Sequence, residues 1–120
     1  MNILIVDDSR AMRSLVRRAL RNAGFEGHTV EEAENGKLAL ELVSTFNPGL
    51  VLSDWNMPEL SGIDFLKALR EQGSPVPFFF VTSESTEEMK NLALATGAQG
   101  LITKPFTPES VQGTLQGTLV

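Results

Sequence analysis

Five short β-prone runs punctuate this chain, at residues 3–6, 29–33, 50–54, 78–82 and 100–103, and a helix-period stretch follows each of them. That alternation constrains the fold more than any other feature, because repeated βα units close most readily into a parallel sheet with helical crossovers. The first, third and fourth runs (Ile3-Leu4-Ile5-Val6, Leu50-Val51-Leu52-Ser53-Asp54 and Phe78-Phe79-Phe80-Val81-Thr82) are almost wholly apolar, as parallel strands covered on both faces must be. The second, residues 29–33, is more polar and reads as an edge. Right-handed crossovers then give an open α/β sheet with helices on both faces.

The intervening stretches carry helix signals. Met12, Leu15, Val16, Ala19, Leu20 and Ala23 recur at spacings of three and four, Ser9 is placed to cap the start, and Gly24 stands where the helix would stop. After an Asn35-Gly36 turn, Leu38, Ala39, Leu42, Val43 and Phe46 form the inward face of a second helix that Asn47-Pro48-Gly49 ends. Ser61 with Asp64 makes a capping box for a third helix that stops at Gly73, and Ser85 with Glu88 makes one for a fourth that stops at Gly97. Thr107-Pro108-Glu109 opens the last helix, with a cap, a proline in the first turn and an acid beside it. Gly113 and Gly117 weaken that helix by about 1 kcal/mol each relative to alanine, so it depends on packing Val111 and Leu115 against the sheet.

At 120 residues the expectation is a single domain over 1–120, long enough to fold without a staple. Cysteine is absent and His28 is the single histidine, which excludes disulfides, iron–sulfur sites and a cysteine nucleophile and argues against zinc. A net charge of −5 argues against nonspecific nucleic-acid binding. The apolar runs fall far short of the ~20 residues that cross a bilayer. No export signal precedes the first strand, so a soluble cytoplasmic protein is the expectation.

In such a sheet, ligands bind beyond the carboxyl ends of the strands. Strand one ends at Asp7-Asp8, strand three at Asp54, strand four at Thr82-Ser83 and strand five at Thr103-Lys104-Pro105. Three of the chain's four aspartates therefore meet a hydroxyl and an ammonium on one rim, delivered from separate segments. Singly these features are weak, since an Asp-Asp pair can simply cap a helix. Jointly they stand out, because each falls at the end of its own strand. Two carboxylates ~4 Å apart repel by about 4 kcal/mol at an effective dielectric near 20, so the trio must hold a proton or a cation. Oxygen-only donors select a hard ion such as Mg²⁺. An acidic trio beside a lysine suits a metal plus a phosphoryl group, with the remaining carboxylate as nucleophile.

Ordered along the whole chain, Ile3-Leu4-Ile5-Val6-Asp7-Asp8-Ser9, Ser53-Asp54-Trp55-Asn56-Met57-Pro58 with Gly62, Val81-Thr82-Ser83-Glu84 and Lys104-Pro105-Phe106 resemble the receiver domains of bacterial response regulators, particularly the chemotaxis type. The resemblance implies a flavodoxin-like strand order of 2-1-3-4-5. It implies that Asp54 is the phosphoacceptor, Asp8 a direct metal ligand, Asp7 its partner acting through water, and Asn56 a ligand through its backbone carbonyl. Lys104 would contact the phosphoryl group, across a Lys104-Pro105 bond that is usually cis in the family. Thr82 would be the switch hydroxyl, the Ser83 backbone N–H a further phosphoryl contact, and the Asn56 and Glu84 side chains would set the phosphoryl lifetime. Mg²⁺ is the implied cofactor, and a histidine kinase or histidine phosphotransfer protein the implied donor. One departure stands out: Leu101 occupies the position where the family usually has Tyr or Phe, which puts the usual threonine–aromatic coupling in doubt.

Several residues admit plainer readings. Arg10, Arg13, Arg17, Arg18 and Arg21 lie on helix one opposite Met12, Leu15, Ala19 and Leu20, either as a solvated basic face or as a docking surface. Leu94, Leu101 and the start of helix five are either ordinary packing or part of an apolar output surface. His28 reads as a surface residue. The expected output is protein contact through the face of helix four, strand five and helix five, with neither nucleic acid nor membrane involved. Domain-level rivals are an unphosphorylated interaction module on the same fold, and an enzyme such as a flavin carrier or phosphohydrolase. Asp7-Asp8 would repel a flavin phosphate, which weighs against the carrier.

Overall fold

In a computed structural model of the chain, residues 1–25 and 27–119 are described, with side chains through residue 116. The elements run β1 (Asn2–Val6), α1 (Arg10–Asn22), β2 (Thr29–Ala33), α2 (Gly36–Phe46), β3 (Leu50–Ser53), α3 (Gly62–Glu71), β4 (Phe78–Thr82), α4 (Glu87–Thr96), β5 (Gly100–Thr103) and α5 (Pro108–Leu119). All five strands are parallel, in the order β2-β1-β3-β4-β5. This is the flavodoxin-like arrangement. None of the described helices is long and apolar enough to cross a membrane.

Strand alternation sends successive side chains to two cores. Ile3, Ile5, Leu50, Leu52, Phe79, Val81 and Ile102 face α1 and α5, where they meet Val16, Ala19, Leu20, Val111 and Leu115. Leu4, Val6, Val51, Phe78 and Phe80 face the other side, against Ala39 of α2, Phe65, Leu66 and Leu69 of α3, and Ala93 of α4. Phe65, Phe78 and Phe80 are fully buried, and each such side chain stabilises the fold by about 1.5–3 kcal/mol. Val111 and Leu115 are buried as the glycine-weakened last helix requires. β2 is the edge, and only Ala33 in it is buried.

The helix starts show which capping signals operate. Ser9 accepts from Met12 N–H (3.2 Å), Ser61 from Asp64 N–H (3.2 Å), and Thr107 from Ser110 N–H (3.1 Å). Asn35 is more than a turn residue, since its side chain caps α2 by accepting from Leu38 N–H at 2.8 Å. At α4 the cap is Thr86, which accepts from Met89 N–H at 3.1 Å; the Ser85–Glu88 pattern lies one residue too early. Leu15 and Leu38 are not inward residues, being 46% and 41% exposed. The apolar arcs of α1 and α2 are wider than the strip of sheet beneath them, so the residue at each margin stays in water. Strand three ends one residue early, at Ser53, which leaves Asp54 in the loop that follows.

The chain crosses from β1 outward to β2, then returns over β1 to β3. The reversal opens a crevice between the carboxyl ends of β1 and β3, where the crossovers leave in opposite directions.

Candidate functional site

Asp7 and Asp8 follow β1 and Asp54 follows β3, so the crevice receives all three aspartates. Asp54 N–H donates to the Val6 carbonyl at 2.8 Å, which docks the first loop residue of β3 against the end of β1. One carboxylate oxygen from each of Asp7, Asp8 and Asp54 lies within 4.8 Å of the others. Asp7 is buried, Asp54 half-buried and Asp8 exposed.

Lys104 spans the cluster. Its Nζ donates to Asp7 Oδ2 at 3.0 Å and lies 3.6 Å from Asp54 Oδ2. The Lys104 side chain is 14% exposed, so these charges interact with limited screening. The remaining Asp7 oxygen accepts from Ser9 N–H at 2.9 Å, and Asp54 Oδ1 accepts from Trp55 N–H at 2.8 Å. Lys104-Pro105 is a cis peptide.

Burial raises the Asp54 carboxyl above its ordinary pKa of 3.8. Lys104 and the Trp55 N–H oppose that rise and the neighbouring Asp7 carboxylate adds to it. Three carboxylates share one ammonium, so the cluster is short of positive charge. The donors are all carboxylate oxygens, with neither nitrogen nor sulfur among them. That set suits a hard divalent cation, and the three aspartates can hold a metal ion.

Thr82 ends β4 fully buried, and its Oγ1 accepts from Glu84 N–H at a long 3.4 Å. Thr82 pairs with Thr103 across β4 and β5, and its carbonyl accepts from Lys104 N–H at 2.8 Å. The hydroxyl and the ammonium thus sit on neighbouring, directly bonded pieces of backbone. Ser83 and Asn56 are exposed, each just beyond its strand end. Trp55 stacks on Phe80 with ring centroids 4.6 Å apart. Leu101 is partly buried against the core that contains Phe80, whereas Leu94 is 55% exposed and does not pack as an ordinary core residue.

Two features of the site escape a reading of motifs. A Cβ on Gly62 would overlap the Asp54 carbonyl oxygen and approach Phe80 Cε1 to 3.0 Å, so only glycine lets the start of α3 press against the loop that carries Asp54. Arg13 is not part of a solvated basic face. Its side chain is 14% exposed, and the guanidinium bonds Glu32 Oε1 at 2.8 Å and the Asp7 carbonyl at 2.6 Å. A signal was present, since Arg13, Val16, Arg17 and Leu20 share the i, i+3, i+4, i+7 spacing of one helix face. His28 is partly exposed, with Nδ1 3.0 Å from the N-terminal amino group.

An acid-lined crevice with one lysine at the switch point of a five-stranded parallel sheet defines an α/β domain whose rim can hold a hard cation. The chain belongs to the response regulator receiver domain family, whose model matches residues 3–116. It is 39% identical over 114 residues to the chemotaxis protein CheY-3 of Vibrio cholerae, covering 93% of this chain and 86% of that protein. It is 38% identical over 111 residues to the chemotaxis protein CheY of Pseudomonas aeruginosa, covering 91% and 88%. The solved structure of Vibrio cholerae CheY4 superposes with a TM-score of 0.87 at 38% identity, covering 98% of both chains. The receiver domain of the putative response regulator NarL from Mycobacterium tuberculosis superposes with a TM-score of 0.83 at 27% identity, covering 97% and 93%.

Proposed function

We propose that the chain is a phosphorelay switch that accepts a phosphoryl group on Asp54 from a phosphohistidine of a histidine kinase or histidine phosphotransfer protein. The observation that carries this reading is the convergence of Asp7, Asp8 and Asp54 within 4.8 Å, with Lys104 bonded to Asp7 and 3.6 Å from Asp54. One Asp54 carboxylate oxygen attacks phosphorus, the phosphorus–nitrogen bond breaks, and the imidazole leaves with the electron pair and takes up a proton. Such a transfer is catalysed mainly by positioning and by charge at the phosphoryl oxygens, which is what this rim offers.

Asp8, Asp54 and the Asn56 backbone carbonyl are the proposed Mg²⁺ ligands, with Asp7 acting through water. The bound ion supplies positive charge to the phosphoryl oxygens. Lys104 supplies a second positive charge and holds Asp7 in place through its 3.0 Å ion pair. Ser83 contributes its backbone N–H to the phosphoryl group. Thr82 holds only a 3.4 Å contact to Glu84 N–H, a weak bond to surrender when a phosphoryl oxygen offers a better one.

Movement of Thr82 is transmitted at once to β5 through the 2.8 Å bond between its carbonyl and Lys104 N–H. The output is a shift between two forms of the face made by α4, β5 and α5, read by a protein partner that binds one form better. Leu92 and Leu94 stand exposed on α4, and Leu101 replaces an aromatic coupling with aliphatic packing. Chemotaxis is the pathway suggested by the relatives' names, and the cytoplasm the compartment in which a phosphohistidine donor meets this domain.

Trp55 supplies the test. Beryllofluoride with Mg²⁺ mimics an aspartyl phosphate and should change Trp55 fluorescence in the wild type but not in Asp54→Ala. Identical spectra with and without the mimic would favour a receiver fold that serves only as an unphosphorylated interaction module.

A further inference from the structure

Asp7 is 3% exposed, and its carbonyl is the first beyond the end of β1. Buried carbonyls need a donor, and here strand pairing no longer provides one. Arg13, reaching back from α1, donates Nη1–H to that oxygen at 2.6 Å. Its Nε–H donates to Glu32 Oε1 on the edge strand at 2.8 Å, so both ends of the guanidinium plane are fixed. Glu32 is steadied in turn by Arg17, which bonds its other oxygen.

The Asp7 carbonyl belongs to the peptide unit that joins Asp7 to Asp8. That unit is planar, so fixing its oxygen fixes the direction in which the Asp8 backbone departs. On the other side of the same residue, Asp7 N–H donates to the Ala33 carbonyl at 3.1 Å. We infer that Arg13 is a positioning residue for the metal site, setting the Asp7–Asp8 peptide so that both carboxylates enter the cluster. The inference rests on the Mg²⁺ reading above and assigns to Arg13 a role that charge alone would oppose. A cation beside three carboxylates weakens Mg²⁺ binding by repulsion, whereas a cation that orients the ligands strengthens it. The two roles therefore predict opposite signs.

The experiment is a Mg²⁺ titration of the full chain, followed by Trp55 fluorescence and by calorimetry, with thermal melts to show that each variant is folded. Arg13→Met removes the charge and the hydrogen bonds and keeps an apolar stem; its Mg²⁺ Kd should rise about tenfold, the low end for residues that orient metal ligands. Arg13→Lys keeps the charge but loses the planar fork, and its Kd should rise about threefold; it decides the matter if Arg13→Met does not fold. Arg17→Met disturbs Glu32 without touching Asp7 and should leave the Kd within a factor of two. Tighter Mg²⁺ binding in Arg13→Met, unchanged binding in the folded Arg13 variants, or an equal loss in Arg17→Met would overturn the assignment. Failure of the wild type itself to bind Mg²⁺ would instead remove the metal reading, and this inference with it.

Discussion

Asp54 is held in a state that costs stability. Burial raises its pKa in the folded protein, and Lys104 only partly offsets this. Between 3.8 and the raised value the folded form binds more protons than the unfolded chain, so stability falls as pH rises through that window. Above it the carboxylate is ionised in both states and the full penalty is present. Asp54→Asn should therefore melt at a higher temperature than the wild type at pH 7 without metal. The gap should narrow as the pH is lowered through the window to below about 4, near the unperturbed value. A lower melting temperature for Asp54→Asn at pH 7 would contradict this account. Glu59 stores a second strain, with φ at +68°. It lines an open acidic hollow with Asp8 and Glu34. Asparagine tolerates that backbone conformation better and removes one of the crowded charges, so Glu59→Asn should raise stability by about 1 kcal/mol, read as a higher denaturant midpoint.

At the scale of elements, the caps show how far a sequence can be read and where it fails. Ser85 and Thr86 are adjacent hydroxyls before the same helix, and only Ser85 has a glutamate three residues on. The motif therefore selects Ser85, yet Thr86 makes the cap, its hydroxyl accepting from Met89 N–H where α4 begins at Glu87. Thr86→Ala should cost about 1 kcal/mol in chemical denaturation and Ser85→Ala less than about 0.5. The reverse ranking would return the cap to Ser85. Strand runs, their order of burial and the edge character of β2 were legible because strands one, three and four are apolar on both faces. Leu15 and Leu38 were misread because periodicity gives the centre of a buried arc and not its width. Arg13 was misread for a related reason: charge marks a residue as exposed, while its spacing with Val16 and Leu20 places it at the boundary of the core, where a long side chain can bury its stem and spend its head on a carbonyl.

For the molecule as a whole, topology rather than any single motif gathers the site. β1 and β3 are neighbours in the sheet but 47 residues apart in the chain at the Ile3–Leu50 pair, since the chain detours through β2 before returning. Asp7, Asp8, Asp54, Thr82 and Lys104 were legible as strand-end residues, because any parallel sheet presents its carboxyl ends on one rim. Their distances were not legible, nor was the pressure of Gly62 on the Asp54 loop, since both depend on how the helices seat against the sheet. The same seating makes Asp54 the carboxylate that is half-buried and opposed to Lys104, while Asp7 is locked by two hydrogen bonds and Asp8 faces solvent. The central claim is that Asp54 is the nucleophile and needs Mg²⁺. It is tested most directly by incubating the chain with phosphoramidate, a small phosphorus–nitrogen donor, and locating the phosphoryl group by mass spectrometry. The account predicts one hydroxylamine-sensitive phosphoryl group on the peptide containing Asp54, dependent on Mg²⁺ and lost in Asp54→Ala. Labelling of Asp54→Ala at equal yield, or of the wild type equally well in excess chelator, would contradict it.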